Sequence, residues 1–397
     1  LGCSEIIKGV WQVGSPDWDR RLFDELIPLP DGTTYNSYLV RGSEKSALID
    51  TVDPPKAQEL LENLRETGLE KLDFVVSNHV EQDHSGSIPA VLSHFPEALV
   101  VANEKCRKML VDHLHLPESR FLVVQDRETL PLGDKTLEFI FAPWVHWPET
   151  MLTYLREEAV LFPCDFLGSH LAQSSLYVED EAHLLRSAKR YYAEIMMPFR
   201  SSIRRHLELL NQYPVRMIAP SHGPVHNRPD LILPAYREWI SDEVKNEVVL
   251  PYVSMHGSTG RMAAHLVDAL IRRGITVHPF NLTGTDTGEL AMALVDAATI
   301  VLGTPTVLTG PHPQAVQAAY LANALRPKTR FASVICSYGW GSRAVEQITG
   351  MLSNLKVELL PPVQVLGAPE KKDFEALDAL ADKILEKHRE QNIYRGK

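Results

Sequence analysis

At 397 residues, 44% hydrophobic and 23% charged, the chain has apolar material for two or three packed domains and the profile of an ordinary globular protein. A formal net charge of −11 argues against nucleic acid or an anionic membrane surface as the main partner, because both reward clustered Lys and Arg. The four cysteines, Cys3, Cys106, Cys164 and Cys336, are scattered and form no Cys-x-x-Cys pair, so neither a thiolate zinc site nor an iron–sulfur cluster is indicated.

So few cysteines, with no signal-like N-terminus, suit a reducing cytoplasm, and no apolar run is long enough to cross a bilayer. The chain opens on Leu1 rather than an initiator Met, which leaves its natural start open. The first part alternates short β-rich runs with turn signals. Thr33–Val40 and Ser46–Asp50 read as neighbouring strands across the polar turn Arg41–Lys45, and Leu60, Leu61 and Leu64 mark a helix near Pro55–Glu66. Further strands are expected at Leu72–Val76, Leu99–Ala102, Phe121–Val124, Thr136–Ala142, Met151–Leu155 and Ala159–Phe162. This mixture suits a sandwich of two sheets flanked by helices.

After about Asp242 the rhythm changes. Strands are expected at Val248–Val253, Ile275–Pro279, Thr299–Leu302 and Arg330–Ile335. Helices are expected between them, one with Met262, Leu266, Leu270 and Ile271 on a single face, others over Gln314–Leu325 and Arg343–Leu355. An amphipathic helix, Lys371–Glu390, closes the chain. Alternation of β and α at this spacing is a doubly wound parallel sheet. We therefore expect domains at 1–245 and 246–397.

The densest chemical signal is His79-Val80-Glu81-Gln82-Asp83-His84, which directly follows the strand ending at Val76. In an extended segment alternate residues project the same way, so His79, Glu81 and Asp83 are expected to converge, with His84 turned to a second point beside them. Three more candidates stand at strand ends: His146 after Phe139–Ala142, Asp165 after Ala159–Phe162, and His222 after Met217–Pro220. Seven nitrogen and oxygen donors are too many for one metal of ordinary coordination and suit two, if a carboxylate is shared. Asp165 balances the sets, leaving His79, Glu81 and His146 for one ion and Asp83, His84 and His222 for the other. Imidazole plus carboxylate suits iron or zinc. Isolated histidines such as His113, His115 and His206 read as ordinary surface or capped residues, and His226 lacks the Ser-His-Gly context of His222.

His-x-Glu-x-Asp-His resembles the metallo-β-lactamase pattern His-x-His-x-Asp-His, with Glu81 in place of the second His. An extra anionic oxygen favours iron over zinc. With Trp144-Val145-His146-Trp147-Pro148 and Ala219-Pro220-Ser221-His222-Gly223, the chain resembles the flavodiiron proteins. Asp17-Trp18, Gly32–Asn36, Tyr191-Tyr192 and Met197-Pro198-Phe199 extend the likeness over nearly the whole length. The resemblance implies a metallo-β-lactamase-like αββα sandwich followed by a flavodoxin-like domain. It also implies two iron ions per chain, FMN, and reduction of O2 to water or of NO to N2O. A rubredoxin or coenzyme F420 would donate electrons, and chains would pair as a head-to-tail homodimer or a dimer of dimers. One departure stands out: Asp24 occupies a place where many relatives carry a His near the metal pocket, which leaves O2 and NO both open as substrate.

The loop after Val248–Val253 is Ser254-Met255-His256-Gly257-Ser258-Thr259-Gly260. Hydroxyls and backbone N–H groups at a helix start make an anion site without Lys or Arg. Ser254, Met255, Gly257, Ser258 and Thr259 match the loop with which flavodoxins hold the FMN phosphate, though a plain helix cap would use the same residues. Two more strand-end loops carry Gly303, Thr304, Pro305, Thr306 and Val307, and Ser337, Tyr338, Gly339, Trp340 and Gly341. In an open α/β sheet such loops meet beyond the carboxyl ends of the strands, where ligands bind. Trp340 could otherwise be simple core packing. The competing functional readings are a metallo-β-lactamase-type hydrolase with an accessory domain, and an electron carrier with a vestigial metal site.

Overall fold

A computed structural model describes residues 3–394. The chain forms two compact units, one ending at Ile240 and the other beginning at Ser241, with the short segment Ala193–Pro198 belonging to the second.

Two sheets build the first unit. The larger has seven strands in the order Ser4–Ile7, Val10–Gln12, Tyr38–Arg41, Ser46–Ile49, Phe74–Val76, Leu99–Asn103 and Phe121–Val124. The smaller has five: Thr129–Pro131, Thr136–Phe141, Met151–Leu155, Val160–Phe162 and Met217–Ile218. Val40, Ile49, Val76 and Val101 of the first pack with Leu137, Phe139, Leu155 and Phe162 of the second in one buried cluster. Burying each such side chain contributes roughly 1.5–3 kcal/mol, so the paired apolar faces hold the sandwich together.

Two local expectations differ from the structure in this unit. Thr33–Val40 is not one strand: Thr33–Tyr35 pairs with Ser15–Asp17, and Tyr38–Arg41 joins the large sheet. The break falls at Asn36, whose backbone N–H donates to the Ser221 carbonyl at 2.8 Å instead of to a ladder partner. In the helix Ala57–Glu66, Asn63 is buried alongside Leu60 and Leu64, while Leu61 is only half-buried. The Asn63 side-chain amide donates to the carbonyls of Val13 and Gly14, both at 3.0 Å, so a polar residue takes a core position by satisfying backbone.

The second unit is a parallel sheet with helices on both faces. Its order is Thr276–Asn281, Lys245–Tyr252, Ala297–Val307, Phe331–Tyr338, then Glu358–Leu359 and Val363–Leu366, both paired along Phe331–Tyr338. That is the doubly wound 2-1-3-4-5 order, whose switch point lies between the first and third strands. The fifth strand was not anticipated, because Leu360-Pro361-Pro362 cuts it into two short pieces; Pro cannot donate to a ladder. Met262, Leu266 and Leu270 pack beneath the sheet with Leu377, Leu380 and Ile384 of the last helix. Ile271, expected on the same face, is 56% exposed. No helix among the described residues is long and apolar enough to cross a membrane.

Candidate functional site

The metal-ligand candidates sit where strands of the sandwich stop. The strand Phe74–Val76 ends in Ser77-Asn78-His79, and buried Asp50 anchors this turn by accepting from the Asn78 N–H at 2.8 Å and its amide at 3.0 Å. Burial pushes the Asp50 carboxyl up to about 6, against the pull of the His84 ring and the Asn78 donors. Glu81 is still extended, with φ −54° and ψ 144°, but the helix Gln82–Ser85 begins immediately after it. The expected convergence of His79, Glu81 and Asp83 therefore fails at Asp83. Alternation ends where helical geometry starts, and Asp83 swings to the side of His84.

The result is two groups. His79, Glu81, His146 and Asp165 offer donor atoms all within 4.8 Å of one another, and so do Asp83, His84 and His222. Asp165 joins both. Its Oδ2 lies 3.6 Å from His79 Nε2 and 3.4 Å from His146 Nε2, while its Oδ1 lies 3.0 Å from His84 Nε2 and 3.3 Å from His222 Nε2. Glu81 Oε2 stands 3.1 Å from His79 Nε2 and 3.2 Å from His146 Nε2; Asp83 Oδ2 stands 3.1 Å from His222 Nε2. Two donors bound at about 2.1 Å to one ion are themselves roughly 3.0–3.5 Å apart, so these spacings are those of shared coordination.

Charge demands the same. Burial lowers the basicity of His79, His84, His146 and His222, yet the facing carboxylates outweigh it and raise all four. Burial likewise pushes Asp165 and Glu81 up, and the imidazoles overcome it and hold both well below the carboxylate range. Both oxygens of Asp83 and Oδ2 of Asp165 are buried without a hydrogen-bond partner. Orphaned anionic oxygens in a protein interior are costly unless a cation meets them, so the residues fit a pair of divalent ions. Cys164 lies within reach of His84 and Asp165, but burial and then the Asp50 and Asp165 charges keep its thiol protonated and a poor ligand.

A second layer holds these ligands, and sequence reasoning missed it. His79 Nδ1 donates to Glu149 at 2.6 Å, and His222 Nδ1 donates to the Thr34 carbonyl at 2.6 Å. Both contacts turn Nε2 toward the centre. Tyr191 donates to Asp165 Oδ1 at 2.8 Å; burial, then the Asp165 charge, keep that phenol protonated. His170 packs 4.9 Å from His222, held through Nδ1 by Thr33 at 2.8 Å, and burial holds it neutral. Glu149 had one faint signal, a charge directly before the fully buried strand Met151–Leu155. Gly223 explains the Ser-His-Gly run: it has φ +82°, and a Cβ there would lie 2.2 Å from Ser169 Oγ. His226 faces away, hydrogen-bonded to the Leu167 carbonyl, and burial pulls it down to about 4. Asp24, at φ 49°, lies at the surface with its carboxyl partly desolvated by its surroundings; that desolvation, then the charges of Glu81 and Asp83, raise it. Its neighbour Phe23 packs tilted against His170 at 5.0 Å and edge-on to His222 at 6.3 Å.

In the second unit, a cleft of about 350 Å³ opens at the carboxyl ends of the strands. It is lined by Met255, Ser258 and Thr259, by Pro305 and Thr306, and by Ser337, Tyr338 and Gly339, with His256, Gly367 and Ala368 added. The last two directly follow the unanticipated strand, Val363–Leu366. The other predicted residues shape the loops. Ser254 Oγ accepts from the Gly260 N–H at 3.0 Å, Gly257 caps the helix at φ 89°, and Thr304 Oγ1 accepts from the His312 N–H at 2.9 Å. Val307 starts a tight hairpin to Gly310. Trp340 is 78% exposed, which excludes core packing, and a Cβ at Gly339 or Gly341 would meet nothing within 4 Å. An open glycine floor, an exposed aromatic and a hydroxyl-bearing helix start fit a planar phosphorylated ligand.

A family model described as "ODP family beta lactamase" matches residues 33–223. The chain is 34% identical to a nitric oxide reductase of Moorella thermoacetica, covering 96% of this chain and 97% of that one. It is 32% identical to a coenzyme F420H(2) oxidase of Methanothermobacter marburgensis, covering 94% and 95%. Among solved structures, rubredoxin oxygen:oxidoreductase from Desulfovibrio gigas superposes with a TM-score of 0.94 at 28% identity, covering 99% of this chain and all of that one.

Proposed function

The chain belongs to the flavodiiron protein family and is an oxidoreductase, and from that premise we propose that it reduces dioxygen to water, nitric oxide to nitrous oxide, or both. The observation that carries this reading is Asp165, whose two oxygens each face a separate trio of donors. His79, Glu81 and His146 would hold one iron, Asp83, His84 and His222 the other, with Asp165 shared. Ser258 and Thr259 would take the FMN phosphate, and Tyr338, Gly339 and Trp340 would border its ring. When bound, the flavin supplies stored electrons and the iron pair supplies the binding and cleavage of the diatomic substrate.

The chain's own residues prepare that chemistry. Glu149 and the Thr34 carbonyl keep Nδ1 of His79 and His222 protonated, so each Nε2 offers a lone pair inward. Phe23 and Trp147, whose ring stands 5.1 Å from His79, wall the centre with apolar surface. Excluding water there strengthens every charge interaction inside. Relatives named for F420H(2) and rubredoxin support one of these as electron donor. By the same family analogy the working unit is a head-to-tail homodimer, alone or paired into a dimer of dimers. Four free cysteines, three of them buried, suit a cytoplasmic setting.

The hydrolase alternative is not favoured, because relatives matched along their whole length are reductases and oxidases. Steady-state turnover with reduced rubredoxin or F420H2 tests the proposal: O2 or NO is consumed well above the free-flavin background. Rates no higher than free flavin for both gases reject it.

A further inference from the structure

The ligand sets around the two proposed ion positions are matched. Each has two imidazoles, one carboxylate of its own and one oxygen of Asp165. What stands behind His79 and His222 is not matched, and neither are the two oxygens of Asp165.

Behind His79 stands a charge. Glu149 Oε1 accepts from His79 Nδ1 at 2.6 Å and from the Val80 N–H at 3.1 Å, its side chain is fully buried, and its Oε2 has no partner at all. A buried carboxylate on Nδ1 gives the ring part of the character of an imidazolate, so its Nε2 binds a cation more strongly. Behind His222 stand neutral groups, the Thr34 carbonyl at 2.6 Å and the Thr33 hydroxyl at 3.5 Å. The shared carboxylate is polarised in the same sense. Tyr191 donates to Oδ1, the oxygen facing His84 and His222, and draws electron density from it. Oδ2, facing His79 and His146, accepts no hydrogen bond and keeps its full donor strength.

We propose that Glu149 and Tyr191 make the two metal positions unequal, so that the position framed by His79, Glu81 and His146 is the tighter and fills first. This rests on the paired-metal reading but not on the identity of the substrate. Glu149 and Tyr191 are positioning residues, acting through His79 and Asp165. Changing an outer partner of a metal ligand shifts affinity on the order of 10–100-fold, enough to separate two otherwise matched sites.

The test is equilibrium dialysis of the full chain, flavin-loaded and stripped of iron, against buffers of fixed free Co(II). The expected result is two ions per chain in two classes at least about tenfold apart. Glu149→Gln keeps shape and a hydrogen-bond acceptor and removes only the charge; it should weaken the tight class about 10–100-fold and merge the two. Tyr191→Phe should leave the tight class in place and tighten the weak one, which a merely structural role would not do. Two equal ions in the unaltered chain, or a Glu149→Gln isotherm that is unchanged or loses only the weak class, overturn this inference alone. Fewer than two ions in the unaltered chain overturn it together with the paired-metal reading.

Discussion

One side chain, Asn36, holds both ends of the His222 loop: its amide donates to the carbonyl of Pro220 at 2.8 Å and to that of Gly223 at 2.7 Å. Tyr38 adds its hydroxyl to the same Pro220 oxygen at 2.8 Å. The break in the strand pattern at Asn36 is thus the price of fixing a proposed metal ligand, His222, nearly two hundred residues away. Asn36→Ala leaves the Gly223 carbonyl buried and unpaired, which costs about 1–3 kcal/mol. The expected outcome is a lower thermal midpoint in the metal-free chain and a reduced metal content in the loaded one. An unchanged midpoint would show that Tyr38 and the backbone suffice.

Asp165 is the joint between the two ligand groups, and replacing it with Asn removes the shared charge while keeping its size. Metal analysis of Asp165→Asn after loading with Fe(II) should find at most one ion per chain. Bound flavin, in the other unit, should be unaffected. Retention of two ions would mean that Asp165 bridges nothing.

Gly339 lines the cleft of the second unit with open space where its side chain would be. Gly339→Val should fill that space, weaken FMN at least about tenfold, and leave stability nearly unchanged, because surface substitutions away from packed contacts cost within ±0.5 kcal/mol. Fluorescence quenching of added FMN reads the affinity. Undiminished affinity would place the flavin elsewhere.

How much of this could be seen in the residues alone divides along one line. Candidate ligands that follow an apolar strand were legible, because a buried run that stops at His, Asp or Glu has few bland explanations; His79, His146, Asp165 and His222 are of this kind. Asp83 does not align with His79 and Glu81, since the switch from extended chain to helix at Gln82 inverts which side chains align; it lies with His84 and His222. The roles of the outer layer were not legible. Glu149, Tyr191 and His170 are separated from their partners by 70, 26 and 137 residues, and only the folded chain brings them together. The parallel sheet of the second unit followed from its β–α rhythm, but its last strand did not, because two prolines break the pattern that would reveal it.

A pH dependence resides in the second unit, in its last helix. His388 is fully buried, with its ring bonded to Thr299 at 2.8 Å and to Asn246 at 2.8 Å, and burial lowers it from 6.5 to about 4. Between those values the unfolded chain binds a proton that the folded chain refuses. Its contribution is therefore fully present above pH 6.5 and is lost as pH falls through 4. The loss is on the order of 3 kcal/mol. Hydrogen exchange of the amides in Lys371–Glu390, corrected for intrinsic rates, should speed up over that interval in the natural chain and not in His388→Gln. Equal profiles would remove His388 as the cause.

The central claim is that the clustered imidazoles and carboxylates work as an iron pair fed by flavin. Its most direct test compares O2 and NO consumption by the same FMN-loaded preparation before and after complete removal of iron, with one reduced donor. Consumption of at least one gas should fall to the level of free flavin on iron removal and return on adding Fe(II). Full turnover by the iron-free protein would contradict the account.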